Sequence, residues 1–255
     1  MWKTWYTELS RRNGLLAKSG AFCLLLGVFL LFLPLVDPRE LLGQSVWMKP
    51  AKFFLSISVF FWTMAWIMDE IKNPPWVMKI SWAIWTLMLI ELIIITYQAS
   101  QGKISHFHND TPLDGALFGL MGLAITVNSL VVIWVLIKLW SVKHLPKGYL
   151  WGLRLGLLIF LIAGYQGFLM VSLHQHTVGA PDGQEGIPLL GWALNYGDLR
   201  IFHFLGIHAL QILPLLGWFF FREKPIPLIV LAVLYFVFCL AFLILALMGK
   251  GLGLG

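Results

Sequence analysis

Residues Pro227–Met248 read PLIVLAVLYFVFCLAFLILALM, a run without a charged side chain. An α-helix needs about 20 predominantly apolar residues to cross the ~30 Å hydrocarbon core of a membrane, and this run supplies them. The same criterion finds six more runs in the chain. They are Gly20–Val36, Ala51–Met68, Ile80–Gln98, Ala116–Leu139, Trp151–Leu173 and Ile201–Phe221. We therefore predict an all-α, polytopic integral membrane protein with seven transmembrane helices.

The composition of the chain agrees with that prediction. Of the 255 residues, 59% are hydrophobic and only 12% are charged, which lies outside the range of soluble globular domains. No small-residue cleavage site follows the first run before Asp37, so we interpret this run as a retained helix. Cys23 and Cys239 fall inside apolar runs and predict no disulfide framework. The last run has no lysine, which argues against a retinal Schiff-base protein.

The lysines and arginines between the runs predict the orientation in the membrane. Most of the 18 fall at ends that are cytoplasmic if the N-terminus is inside. Because cytoplasmic loops carry the excess of positive charge, we predict an inside N-terminus and an outside C-terminus. Residues 1–19 would form a cytoplasmic segment of a single transmembrane domain, 1–255. Topology then explains the net charge of +6, and the expected partner is the lipid bilayer rather than nucleic acid.

Polar residues gather around Tyr196–Gln211, YGDLRIFHFLGIHALQ, where a charged turn runs into an apolar helix. His203 and His208 are five residues apart, so on a helix they point about 140° away from each other. They therefore serve different centres, or only the deeper His208 is a ligand. Gln211 shares a helix face with His208.

A pattern, Y-Q-x7-H-x-H-x5-D-G, occurs twice, and its second copy begins 68 residues after the first. The copies comprise Tyr97, Gln98, His106, His108, Asp114 and Gly115, and Tyr165, Gln166, His174, His176, Asp182 and Gly183. Each copy follows a helix that would run outward. The pattern therefore predicts a parallel internal repeat of helices 3-4 and 5-6, related by an axis along the membrane normal.

The concentration of histidines on the outer side predicts a metal or haem site. Neutral imidazole binds zinc, copper or iron, and a nearby carboxylate fixes its tautomer. The predicted ligands are His106, His174, His176, His203 and His208. Asp114 and Asp182 are predicted to support them or to act as bases, and Glu91, an ionisable residue inside the third helix, is predicted to be functional.

Further polar residues are predicted to contact a cofactor, with cationic side chains binding an anionic group such as a haem propionate. These predicted contacts are Lys49, Lys52, Gln98, Gln166, Arg200 and Gln211. The loop 174–199 is rich in glycine and proline but has an apolar middle, so we predict that it folds back onto the helices as a lid. Gly115, Gly119 and Gly122 of the fourth helix predict close helix packing.

Four segments resemble a group of bacterial multi-pass membrane proteins that has no established activity. They read WMKPAKF, SHFHNDTPLDG, HTVGAPDGQEGIPLLGW and GDLRIFHFLGIHALQ. The resemblance covers most of the chain and implies a bacterial inner-membrane protein. The group usually has SHFN where this chain has Ser105-His106-Phe107-His108, which sets His108 apart from the predicted ligands.

Three functional hypotheses fit these residues, besides a purely structural subunit. The first is a redox metalloprotein whose histidines bind haem b or a metal and exchange electrons with quinol or another membrane substrate. The second is a zinc hydrolase with ligands His106, His176 and His208, although no H-E-x-x-H motif occurs. The third is a transporter or channel whose path is lined by Glu91 and by the repeated tyrosines and glutamines. The sequence alone favours the redox hypothesis.

Overall fold

The computed structural model of the chain describes residues 2–253. Within that range, seven helices are long and apolar enough to cross a membrane, which confirms the predicted helical, multi-pass architecture. The orientation in the membrane and the internal repeat stay predictions.

The helices are α1 (Trp2–Arg12), α2 (Gly14–Leu30), α3 (Met48–Asp69), α4 (Pro74–Ser100), α5 (Pro112–Trp140), α6 (Lys147–Leu173), α7 (Leu199–Phe219) and α8 (Pro225–Leu247). Two short antiparallel ribbons lie in the connections. They are β1 (Glu40–Leu41) with β2 (Gln44–Ser45), and β3 (Thr177–Val178) with β4 (Gly197–Asp198). Helices α2 to α8 correspond in order to the seven predicted spans.

The first spanning helix begins at Gly14, where the sequence predicted Gly20. Asn13 fixes this start, because its side-chain oxygen accepts the backbone N–H of Leu16 at 3.1 Å and satisfies a donor that the first turn leaves open. The same side chain donates to Ser81 Oγ at 2.6 Å, which joins the start of α2 to α4. Residues 14–19 are therefore part of the spanning helix.

Two compact units make up the chain, Met1–Val131 and Val132–Gly255. The first contains α1 to α4 and the beginning of α5, and the second contains the end of α5 and α6 to α8. The single domain predicted for 1–255 stays a prediction.

In the first unit, α1 is held against α3 by charge. Arg12 donates to Glu8 at 2.9 Å and to Glu70 at 2.7 Å, and its guanidinium lies 4.1 Å from the ring centroid of Trp66. The indole of Trp62 in α3 donates to the carbonyl of Ala17 in α2 at 3.0 Å. These contacts fix the three helices to one another.

In the second unit, α6 and α7 pack through glycines spaced four residues apart. A Cβ built on Gly152 would lie 2.6 Å from the carbonyl oxygen of Leu213, and one on Gly156 would lie 2.8 Å from that of Ala209. Only glycine allows this approach, which resembles the small-xxx-small packing of membrane helices. Tyr235 Oη of α8 completes the contact by donating to the carbonyl of Leu205 at 2.5 Å.

The glycines chosen from the sequence for close packing were the wrong ones. Among the described residues, nothing lies within 4 Å of a Cβ built on Gly119 or Gly122 in α5. A Cβ on Gly115 would meet only the side chain of Asn109, at 3.5 Å. Glycine content alone does not distinguish a helix face that touches a neighbour from one that does not.

The connection between α6 and α7, residues 174–198, folds into an ordered cap. Strands β3 and β4 pair at its base, and Gly186 forms an isolated bridge with Ala193. The backbone N–H of Leu252 donates to the carbonyl of Leu194 at 3.0 Å, and the ring of Trp192 packs 5.3 Å from that of Phe204 in α7. The loop therefore folds back onto its own unit, while the movement that a lid requires stays a prediction.

Candidate functional site

The turn before α3 is fixed by the carboxylate of Asp37. It accepts hydrogen bonds from Arg39 Nη2 at 2.7 Å and from Trp47 Nε1 at 2.8 Å. The Arg39 guanidinium, and then the Trp47 indole, hold the pKa of Asp37 well below its usual range, because both donate to the ionised form. Arg39 also donates to the carbonyl of Ser100 at 3.0 Å, which joins this turn to the end of α4. The start of α3, from which Lys49 extends, is thereby positioned.

Lys49 and His106 meet beside this turn. Lys49 Nζ lies 3.1 Å from His106 Nδ1, and Ser105 Oγ lies 3.0 Å from the same nitrogen. The imidazole is half-buried among aromatic rings, with the centroids of Phe53 and Phe118 at 5.8 and 6.1 Å. When Lys49 donates, Nδ1 is the acceptor and the proton of a neutral His106 lies on Nε2.

Glu91 of α4 is a buried carboxylate that interacts electrostatically with this pair through Lys49. Its side chain is only 5% exposed, and Lys49 is the cation that attracts it electrostatically. Glu91 lies about 14 Å from the Ser100 end of α4, and Ser58 lies about 15 Å from the Met48 end of α3. The two helices are joined at Asp69 and Pro74, and from that turn Ser58 lies about 17 Å and Glu91 about 26 Å along its own helix. The buried Ser58 Oγ has no hydrogen-bond partner among the described residues. We call Lys49, Glu91, Ser105 and His106 the Lys49 cluster.

Asp114 is buried in a separate set of hydrogen bonds in the first turn of α5. Its carboxylate accepts from Thr111 Oγ1 at 2.7 Å, from Gln98 Nε2 at 3.0 Å and from Lys103 Nζ at 3.0 Å. His108 Nε2 lies 3.4 Å away. Three donors thus occupy the carboxylate that was predicted to be a base, and they make it an anchor between α4 and α5. The catalytic role of Asp114 stays a prediction.

Phe107 separates His106 from His108 in an unusual conformation. Its φ of 62° lies in the left-handed region, which bulky residues rarely adopt. The ring of Phe107 packs against that of Phe118, with the centroids 5.9 Å apart. The turn directs His106 toward Lys49 and His108 toward Asp114, so the two histidines of the first H-x-H have different partners.

The other predicted anion-binding cations have partners within the chain. Lys52 Nζ donates to Gln44 Oε1 at 3.2 Å. Arg200 donates through Nε and Nη2 to the fully buried carboxylate of Asp198, at 2.9 and 2.6 Å, and to the carbonyl of Gly191. Asp198 also accepts the backbone N–H of Ala193 at 2.9 Å. Arg200 therefore holds the cap in shape, and its binding of an anionic cofactor stays a prediction.

In the second H-x-H, His174 and His176 also differ. His174 is exposed and ends α6 with a left-handed φ of 55°. His176 Nδ1 lies 3.0 Å from Asp182 Oδ1, and Asp182 accepts the backbone N–H of Thr177 at 2.9 Å. Asp182 thus closes a turn and orients one imidazole.

The two histidines of α7 are oriented separately, as their spacing predicted. His203 Nδ1 lies 2.8 Å from the carbonyl oxygen of Ala163 in α6, and His208 Nδ1 lies 3.2 Å from Gln211 Oε1. Gln166 is 8% exposed on the face of α6 toward α7, and neither of its side-chain polar atoms has a partner among the described residues. A buried amide without partners is costly in a membrane, so this position is suited to a bound polar group.

The two copies of the repeated pattern share part of their geometry. Gln98 and Gln166 are both buried, and the second histidine of each copy lies beside its aspartate. The copies differ beyond that point, because Asp114 lies in α5, whereas Asp182 lies within the cap and α7 begins only at Leu199. A duplication of whole helices stays a prediction.

Within residues 2–253, no group of three or more His, Cys, Asp or Glu side chains is arranged to hold a metal ion. The predicted ligands divide between the units, His106 in the first and His174, His176, His203 and His208 in the second. Metal and haem binding stay predictions, as does the hydrolase hypothesis.

Several residues of these clusters were missed from the sequence. Lys103 and Thr111, which both bind Asp114, were not among the predicted site residues, because a basic or small polar residue between two helices is ordinary. Thr111 precedes Asp114 by three residues at the start of an apolar helix, which is the one local signal that predicts a capping interaction.

Comparison of the chain with protein-family models, with curated proteins and with solved structures gives no match. The functions considered next therefore rest on the side chains of this chain alone.

Proposed function

We propose that the chain is a proton-coupled membrane transporter whose Lys49 cluster binds and releases the coupled proton. The contact of 3.1 Å between Lys49 Nζ and His106 Nδ1 is the observation that carries the proposal. Both groups can bind a proton, and the contact brings them within hydrogen-bond distance of each other. Of the three hypotheses, transport is the one that this geometry favours.

Coulomb repulsion limits the charge that the pair carries. Two unit positive charges 3.1 Å apart repel by about 5 kcal/mol at an effective dielectric constant of 20. The doubly charged state is therefore disfavoured, and in our proposal the pair carries a single positive charge. Their titrations belong to the pair rather than to either residue.

Glu91 gives the shared proton a second location inside the membrane. Ionisable residues at such depth are costly and are typical of proton relays in pumps and transporters. When Glu91 is ionised it attracts Lys49, and when it is protonated that attraction is lost. Protonation of Glu91 thus changes the field at Lys49, which is the coupling that a transporter requires.

Proton flux into liposomes tests this proposal. Purified protein is reconstituted with an entrapped pH-sensitive dye, and a potassium diffusion potential is imposed with valinomycin. We expect wild-type flux well above that of empty liposomes and a loss of about a hundredfold in Glu91→Gln, as is usual when a proton-transfer group is removed. Glu185→Gln, which removes an exposed carboxylate from the cap, is the control and should retain flux. Equal flux in wild type and Glu91→Gln would overturn the proposal.

We also propose that the N-terminus lies inside and that the membrane is the bacterial inner membrane. Support comes from basic residues that lie over tryptophan rings, a pairing typical of membrane interfaces. The pairs are Arg12 with Trp66, Lys79 with Trp76, Lys138 with Trp134, Arg154 with Trp140 and Arg222 with Trp218. Every pair occurs at a helix end that alternating spans place on the side of the N-terminus. The inner membrane itself rests on the sequence resemblance.

A redox function at the second unit is the second candidate, favoured by the orientation of its histidines. His176, His203 and His208 each have Nδ1 near an oxygen, at 3.0, 2.8 and 3.2 Å. An oxygen beside Nδ1 is the usual arrangement around an imidazole that binds a metal through Nε2. Haem b or a transition metal bound there would supply electron transfer with quinol or another membrane substrate.

The absorption spectrum of detergent-purified protein, before and after dithionite, tests the redox candidate. Bound haem gives a Soret band that sharpens on reduction. We expect His208→Ala to lose the bound centre more completely than His144→Ala, which changes a histidine in a different loop. Equal retention of the centre in both variants would exclude His208 as a ligand.

A further inference from the structure

A groove in the first unit lies among α2, α3 and α4 and has no part in the Lys49 cluster. Its volume is about 290 Å³. Most of its lining is apolar and comes from all three helices: Phe22, Cys23, Phe54, Phe61, Trp85 and Leu89. Phe54 and Phe61 are buried and form the floor, whereas Phe22 is 62% exposed and forms an outer rim. The groove is therefore open at the surface that faces lipid.

The polar lining of the groove is confined to one end. Lys18 and Ser19 contribute the ammonium and the hydroxyl, and both lie in the second turn of α2, near the end of that helix at Gly14. From there the groove continues past Cys23 toward Phe54 and Leu92, deeper in the membrane. No carboxylate is among the described residues that line it. The groove thus has a positive charge at its membrane-interface end and an apolar lining toward the membrane interior.

We propose that this groove binds one anionic phospholipid of the leaflet on the N-terminal side. Lys18 and Ser19 hold its phosphate, and one acyl chain lies along Phe54 and Phe61. The charge is complementary, since an ammonium at the interface attracts an anionic headgroup while the stem of the lysine packs on apolar surface. The order of polarity along the groove, from cation to aromatic floor, is also that of a phospholipid from headgroup to chain. A neutral lipid would pack against Phe54 and Phe61, but it would bring no net negative charge to Lys18.

Native mass spectrometry of the detergent-purified, full-length protein tests the proposal with phosphatidylglycerol and phosphatidylethanolamine as competing probes. We expect wild type to prefer phosphatidylglycerol by about fivefold, the effect of one lysine charge at the interface. Lys18→Gln should remove that preference while leaving phosphatidylethanolamine binding unchanged. Lys143→Gln, an exposed lysine in the loop after α5, is the matched control and should behave as wild type. Leu89→Trp, which fills the groove, should reduce binding of both lipids.

Three results would overturn the proposal. One is equal binding of the two lipids by wild type, and another is an equal effect of Lys18→Gln and Lys143→Gln. The third is retention of a neutral isoprenoid molecule that Leu89→Trp displaces while phosphatidylglycerol stays bound. Since Lys18 is exposed, Lys18→Gln is expected to fold, and the comparison with Lys143→Gln remains decisive even if Leu89→Trp is unstable.

Discussion

Lys49 Nζ and His106 Nδ1 lie 3.1 Å apart, although 57 residues separate the two in the chain. The contact joins the start of α3 to the loop that follows α4, next to a carboxylate, Glu91, that is buried inside the membrane-spanning part of α4. An amine, an imidazole and a carboxylate within one unit give a proton three alternative positions. The contact thus brings two groups that can bind a proton together at one end of the first unit.

The anchor at Asp114 gives a prediction about stability. Asp114→Asn removes the charge that pairs with Lys103 and places an amide beside the donors of Gln98 and Thr111. Because hydrogen bonds to charged groups contribute about 1.5–3 kcal/mol, we expect the thermal midpoint to fall clearly. Asp110→Asn is the control, since that carboxylate is 81% exposed, and it should melt as wild type. Equal midpoints for the two variants would contradict the anchor. If the repeat is functional as well, Asp182→Asn should impair the protein to a similar extent.

The glycine contact between α6 and α7 gives a prediction with a control on the same helix. Gly152→Ala would place a Cβ 2.6 Å from the Leu213 carbonyl, which forces the helices apart and should cost about 1–3 kcal/mol. A Cβ on Gly164 meets no described atom within 4 Å, so Gly164→Ala should leave the melting temperature unchanged or raise it, because alanine favours a helix. A lower midpoint for Gly164→Ala than for Gly152→Ala would show that the close approach is not the stabilising contact.

Acid should loosen α1. Hydrogen bonds from Arg11 at 2.7 Å and Arg12 at 2.9 Å lower the pKa of Glu8 from 4.5 to about 2. A carboxyl whose folded pKa is lowered stabilises the folded state above its unfolded value, and this stabilisation is lost as pH falls through the folded value. Protection of α1 from hydrogen exchange, corrected for intrinsic rates, should therefore decline between about pH 4.5 and pH 2. Glu8→Gln should show weak protection already at neutral pH, with little further decline, whereas Glu40→Gln should follow wild type. Constant protection of wild type across that pH interval would show that the hydrogen bonds from Arg11 and Arg12 to Glu8 do not stabilise α1.

The sequence predicted the spans because the membrane imposes a simple rule on them. A run such as Pro227–Met248 can only be a helix in lipid, and α8 indeed covers Pro225–Leu247. The ends of the helices were harder to predict from the sequence, because each end depends on single side-chain contacts. The side chain of Asn13 starts α2 at Gly14 by capping it and by bonding to Ser81, 68 residues away in the chain.

The polar sites were predictable in residue type but not in pairing. Glu91, Lys49 and His106 stood out because charge and imidazole are scarce in this chain, yet nothing in the sequence joins Lys49 to His106. That contact depends on how α3 meets the loop after α4 and on the left-handed turn at Phe107. Arg200 illustrates the reverse case. Its partner Asp198 is only two residues before it in the chain, and the cofactor binding predicted for Arg200 stays a prediction.

Infrared difference spectroscopy of the reconstituted protein during a pH titration tests the central claim most directly. Wild type should show the C=O stretching band of a protonated carboxyl that disappears as Glu91 ionises. Glu91→Gln should lack that band. His106→Gln should retain the band but shift the midpoint of its titration, because in our proposal the charge of the Lys49–His106 pair influences the ionisation of Glu91. Glu185→Gln should leave both the band and the midpoint as in wild type. A wild-type spectrum without a band that depends on Glu91, or a midpoint that is unchanged in His106→Gln, would contradict proton exchange within the Lys49 cluster.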